Sequence, residues 1–175
     1  MSVTASSSLN DVDIASVAAL AAAVTADPDK AATRWRANVT WLGGFRTQAA
    51  VRDFEPIASD EPAGLGGTDT APNPVEQVLA ALGNCLAVGY AANATARGIA
   101  LDSLRIDVSG PVDLHSFLGL RPGHAGFDRV DVVVHLTSAA PAQEIDALHE
   151  HVLSTSPVGH TLQAALPVNV VLAHR

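Results

Sequence analysis

The sequence predicts an α+β fold, with antiparallel strands before and after one long helix and a second amphipathic helix behind them. Three observations carry that prediction. Residues 74–97 form an apolar run of helical length, rich in Ala and Leu. In "LRIDVSGPV" (104–112), Leu104, Ile106 and Val108 alternate with Arg105, Asp107 and Ser109, the period of a half-buried strand. Further on, Ile145, Leu148 and Val152 fall at helical spacing on one face.

The elements follow in order. Residues 1–9 read as a flexible tail. Asn10 or Asp11 is the expected cap of a helix running to about residue 23, with Ile14, Val17, Leu20 and Ala21 on one face. Residues 10–34 thus make a helical extension ahead of the core, and "TADPDK" (25–30) breaks its helix. Residues 35–51 read as strands around a turn at Gly43-Gly44. "ASDEPAGLGGTDTAPNP" (58–74) is a Gly/Pro/Asp-rich ordered loop leading into the central helix.

Pro74 suits the first turn of that helix, and Gly98 suits the cap after Arg97. "LGLRPGHAG" (118–126) is a turn, and "FDRVDVVVHLT" (127–137) is a strand with Val130, Val132, Val134 and Leu136 on one face. Pro141 opens the second amphipathic helix. "STSPVGHTL" (154–162) is a break with a short helical turn, and "PVNVVLA" (167–173) is a closing strand. Neither repeats nor a linker interrupt the pattern, so residues 1–175 are expected to form a single domain.

Composition narrows the function classes. A chain of 175 residues can bury a core without staples, and 48% hydrophobic with 16% charged residues is globular rather than disordered. The net charge of −8 argues against nucleic acid and anionic membranes as partners. The single cysteine, Cys85, excludes a disulfide within the chain and fits a reducing cytoplasm. "MSVTASSSLNDVD" lacks the basic and apolar regions of a signal peptide. Residues 78–96 carry no formal charge over 19 positions, close to membrane-spanning length. Asn84, Asn93 and Thr95 interrupt them, however, and Ala and Gly partition weakly into lipid, so a buried helix of a soluble protein is expected.

Candidate chemistry centres on Cys85. Helical spacing surrounds it with Val78, Ala81, Leu82, Val88, Gly89 and Ala92, a dry neighbourhood. On composition alone such a cysteine is a small core hydrophobe, and reactivity requires a cation brought from elsewhere in the fold. The histidines give no metal pattern: His149 and His151 are two residues apart, point away from each other and read as solvated. Ser156 and His160 could suggest a hydrolase, but no nucleophile-elbow motif surrounds Ser156 and Pro157 constrains it. "GLGG" (64–67) lacks the Lys-Ser/Thr of a phosphate-binding loop.

The ordered blocks "APNPVEQVLAALGNCLA", "RGIALDSLRIDVSGPVD", "GFDRVDVVVHL" and "STSPVGHTLQAALPVNVVL" resemble the osmotically inducible protein C/organic hydroperoxide resistance (OsmC/Ohr) family, from about residue 35 to 172. The resemblance implies an intertwined homodimer in which long central helices pack among antiparallel sheets, with the N-terminal helix as an addition. It also implies a thiol-dependent peroxidase for small-molecule organic hydroperoxides in oxidative-stress defence. The motif-matched residues are Cys85 as the peroxidatic thiol and Glu76 as the site glutamate; Arg46 is the chosen arginine, ahead of Arg36 and Arg52. A guanidinium beside the sulfur would favour the thiolate, and a carboxylate would orient that guanidinium.

The position of the family's second, resolving cysteine is occupied by Ser156, followed by Pro157. Serine forms no disulfide, so reduction is expected to come from an external thiol or dithiol, with no cofactor and no metal. The alternative is a non-catalytic dimer that binds a small hydrophobic ligand in a stress role. One geometric constraint applies. Glu76 and Cys85 are nine residues apart, about two and a half turns and roughly 13 Å of rise, on opposite sides of one helix. Glu76 is therefore expected to reach the site from a partner subunit, or through an irregular start to the helix.

Overall fold

The computed structural model describes residues 8–173; most of the expected tail (residues 1–7) lies outside the described residues. The chain order is α1 (Ile14–Ala26), β1 (Asn38–Gly43), β2 (Arg46–Ala50), β3 (Ile57–Ser59), α2 (Pro74–Ala96), β4 (Ser103–Ser109), α3 (Leu114–Phe117), β5 (Asp131–Thr137), α4 (Ala142–Thr155) and α5 (Pro157–Gln163). Two compact units share it. One comprises residues 8–12, Ala81–Ser109 and 131–173; the other comprises Asp13–Ala80 and Gly110–Val130.

The first unit contains the buried apolar side chains among the described residues: Leu82, Leu86, Tyr90, Ala94, Ile99, Leu148 and Val152. They come from one face of α2, the turn after it, and the inner stripe of α4. β4 and β5 pair antiparallel from Ser103↔Thr137 to Ser109↔Asp131. Leu104, Ile106 and Val108 are half-buried while Arg105 and Asp107 face out, as the alternation requires.

Both ends of α2 are closed by side-chain or backbone partners. At its start, Asn73 Oδ1 accepts from the Glu76 N–H at 2.9 Å and Glu76 Oε2 accepts from the Asn73 N–H at 2.8 Å. This is a reciprocal capping box, and it satisfies amides that have no partner within the helix. At its end Gly98 takes φ +73°, Ile99 N–H donates to Ala94 O (2.9 Å) and Gly98 N–H donates to Thr95 O (3.0 Å). That paired closure is a Schellman motif, and the left-handed φ is why glycine stands there. Asn10 adds a clip: its Nδ2 donates to Thr95 Oγ1 (3.0 Å) and Ile99 O (2.9 Å), and its Oδ1 accepts from Leu101 N–H (2.8 Å).

In the second unit β1, β2 and β3 form an antiparallel sheet in that order, with Gly43 and Gly44 at positive φ in the first hairpin. The following loop is ordered around buried Asp60, whose carboxylate accepts from the N–H groups of Glu61, Thr68 and Thr70 and from both threonine hydroxyls. α2 is the one described helix long and apolar enough to cross a bilayer by length and composition, and Leu82, Leu86, Tyr90, Ala94 and Thr95 on it are buried within the protein.

Several sequence expectations are corrected. The first helix is capped by Asp13, which accepts from the Ser16 N–H (3.1 Å), and it runs on to Ala26. Asn10 and Asp11 lie outside it at φ 53° and 55°. The second strand of the later hairpin begins only at Asp131, because Phe127 instead bridges to Val112. Residues 167–173 form no strand: Val168, Val170, Val171 and Leu172 are 82%, 85%, 79% and 76% exposed, and no ladder partner meets them among the described residues.

Candidate active site

Cys85 sits near the middle of α2 on the side that meets the junction of α4 and α5. That junction is a single residue, Ser156, which ends α4 and caps α5 in an extended conformation (φ −73°, ψ 111°). Its Oγ accepts from the Gly159 N–H at 3.1 Å, and Pro157 occupies the first helical position, where a missing N–H costs nothing. The same Oγ lies 3.3 Å from Cys85 Sγ. Ser156 is 5% exposed, whereas Cys85 is only half-buried.

The sulfur opens on a cavity of about 370 Å³ whose walls include Asn84, Val88, Val152 and Pro157. Its depth depends on a close approach: a Cβ at Gly89 would lie 3.1 Å from a Val152 methyl, so glycine lets α4 pack onto α2 beside the cysteine. Asn93, also in the lining, donates to Gly89 O (2.8 Å), and Thr155 donates to His151 O (2.8 Å). Their polarity is spent on backbone. None of the lining residues is charged. The cavity is therefore a mostly aliphatic recess with one thiol and one buried hydroxyl in contact, suited to a molecule with an apolar body and a reactive end.

The other sequence-predicted residues are placed differently. α2 is an unbroken α-helix from Pro74 onward, which removes the irregular-start explanation for Glu76. Glu76 serves as the capping-box acceptor at the helix start and does not line the Cys85 cavity. Arg46 is exposed at the head of β2, its side chain making no hydrogen bond or ion pair among the described residues, and it too is absent from the lining. Arg52 stacks its guanidinium over the Phe54 ring at 4.5 Å, and Arg36 is exposed ahead of β1. His160 places Nε2 on Ser154 O (3.0 Å), not on Ser156, so the Ser/His pair of a hydrolase is not assembled.

Sequence reasoning missed one pairing. His149 is exposed as expected, but it also hydrogen-bonds through Nδ1 to the hydroxyl of Tyr90, which is 1% exposed, and the rings stack with centroids 6.1 Å apart. Burial pushes the Tyr90 phenol upward. No local spacing signals that contact, because 59 residues separate the partners.

A long central helix carrying the cysteine, with antiparallel sheets before and after it in the chain, is the α+β layout that the sequence resemblance implies. The chain belongs to the OsmC-like protein family, whose pattern it matches over residues 67–171. Among solved structures it is similar to an OsmC-like protein from Mycoplasma pneumoniae (21% identity, TM-score 0.65, covering 81% of this chain and 99% of that one). It is also similar to an organic hydroperoxide resistance protein OsmC from Legionella pneumophila (18% identity, TM-score 0.55, covering 75% and 92%). A third is an organic hydroperoxide resistance protein from Elizabethkingia anophelis (17% identity, TM-score 0.55, covering 75% and 90%). At these identities the likeness establishes the fold. No curated protein matches the chain in sequence.

Proposed function

We propose that the protein is a one-cysteine, thiol-dependent peroxidase that reduces organic hydroperoxides in the cytoplasm as part of oxidative-stress defence. The observation that carries this reading is the Cys85 sulfur, half-buried at an uncharged, mostly aliphatic cavity and 3.3 Å from a hydroxyl. The thiolate attacks the distal peroxide oxygen. An S–O bond forms as the O–O bond breaks, the alkoxide leaves and takes a proton to become the alcohol, and the sulfur becomes a sulfenic acid. Val88, Val152 and Pro157 supply the apolar wall for the alkyl part.

With serine at position 156, no intrachain disulfide forms. One external thiol condenses with the sulfenic acid to give a mixed disulfide and water; a second thiol displaces it and restores Cys85. No cofactor or metal enters this cycle. In this reading the working unit is a homodimer, and Arg46 and Glu76 of the second copy complete the site. The guanidinium favours the thiolate and the carboxylate orients it through paired hydrogen bonds. Support comes from the exposure of both residues and from the apolar side chains left in the open on β1 and near the C-terminus, Val39, Trp41, Val168 and Val170 among them. The uncharged cavity also favours a second reading, a non-catalytic dimer that holds a small hydrophobic molecule.

Consumption of cumene hydroperoxide with dithiothreitol separates the two. The wild type should turn over and form a sulfenic acid at Cys85 detectable by mass spectrometry, and Cys85→Ser should fall to the uncatalysed rate. Equal rates for both proteins, with no oxidised Cys85, would refute the peroxidase reading.

A further inference from the structure

We propose that Ser156 is the hydrogen-bond donor that holds Cys85 as a nucleophile, with its oxygen fixed by the first turn of α5; this rests on the reading of Cys85 as the reacting group. A hydroxyl has one proton and two acceptor sites. The Gly159 N–H, 3.1 Å away, occupies one acceptor site of Ser156 Oγ. A thiolate has no proton to give. Once Cys85 is ionised, the 3.3 Å contact therefore has one possible polarity, with Ser156 O–H donating to Sγ. Cap and contact use opposite ends of one hydroxyl and reinforce each other.

Burial sharpens the effect. Ser156 is 5% exposed, which limits water's access to its hydroxyl, and the cavity lining offers the sulfur no charged group. Among the described residues Ser156 is the only hydrogen-bond partner of Cys85 Sγ. The position is also tightly defined, since a Cβ at Gly159 would approach Ser156 Oγ to 3.0 Å. A serine that cannot resolve a sulfenic acid as a disulfide thus acts earlier in the cycle, on the reduced sulfur.

Alkylation by iodoacetamide across pH tests this without any peroxide, and one cysteine per chain makes the intact-mass readout unambiguous. Ser156→Ala should alkylate about tenfold more slowly at neutral pH. Ser156→Thr, which keeps both hydroxyl and cap, should restore the wild-type profile. Ser156→Asp keeps the cap but sets a carboxylate against the sulfur, and should alkylate more slowly than the wild type. Should Ser156→Ala fail to fold by circular dichroism, the Thr and Asp variants decide, because both can cap α5. Superimposable profiles for wild type and folded Ser156→Ala, or for the Thr and Asp variants, would overturn the proposal. Lack of peroxide turnover alongside the expected alkylation pattern would refute the peroxidase reading and leave this one standing.

Discussion

Asp60 is 1% exposed, yet its five hydrogen bonds show how a single side chain can organise a loop that has little regular structure. The Thr68 hydroxyl does most to hold its carboxyl well below the usual carboxylate range; burial pushes the other way, and the Glu61 and Thr70 donors help to outweigh it. A carboxyl depressed in the folded state stabilises the fold above the unfolded aspartate range, and that contribution is lost as pH falls through the folded value. Asp60→Asn is therefore expected to melt at a lower temperature than wild type at pH 7, with the gap narrowing below about pH 4, where unfolded aspartate takes up protons. Thermal denaturation followed at both pH values checks this. The loop was legible as ordered from its Gly/Pro/Asp content, but the hub was not, because Asp60 and Thr70 are joined by folding rather than by any short motif. Cys85 and Ser156 are a similar case. The cysteine stood out as the only one in the chain, while its 3.3 Å partner is 71 residues away.

α2 was the most legible element, because its boundaries are written in residues whose backbone preferences are strong. Pro74 opens it and Gly98 closes it, and the structure agrees to within a residue. Gly98→Ala is expected to destabilise the fold by about 1 kcal/mol, since an L-residue resists φ +73°, measured by urea denaturation. A wild-type midpoint in that variant would mean that the closure can relax into another conformation. α4 was legible for another reason: Leu148 and Val152, 0% and 1% exposed, lie on the stripe that helical periodicity marks. Residues 167–173 failed because alternating apolar residues give strand propensity but not a partner, and a strand exists only by pairing. The first helix is capped two or three residues later than Asn10 or Asp11, because Asn10 finds partners around the end of α2 instead, 85 to 91 residues away in sequence.

At the level of the whole molecule, large apolar side chains remain exposed on β1 and near the C-terminus: Trp41 is 71% exposed, Val39 67% and Val170 85%. Apolar area of this kind is a usual sign of an interaction surface. Analytical ultracentrifugation is expected to give a mass near twice 17.9 kDa, with deletion of residues 167–175 weakening the dimer. A wild-type monomer at micromolar concentration would remove Arg46 and Glu76 from the site at once, because the reading needs them from a second copy. The acidic net charge of −8 and the single cysteine were read from composition, and they narrowed the choice of chemistry before any geometry was known. What composition could not supply was the contact between α2 and the α4–α5 junction, which depends on Gly89 meeting Val152.

The two closures of α2 have a consequence for how the protein opens. Helices ordinarily fray from their termini, exchanging their end amides with solvent long before the middle. Here the Asn73–Glu76 box ties one terminus, while Gly98 and Asn10 tie the other. Amide hydrogens around Cys85 are then expected to exchange through a larger cooperative opening, one that also undoes α4 or the N-terminal clip. The reactive sulfur is carried on a segment with no private route to disorder.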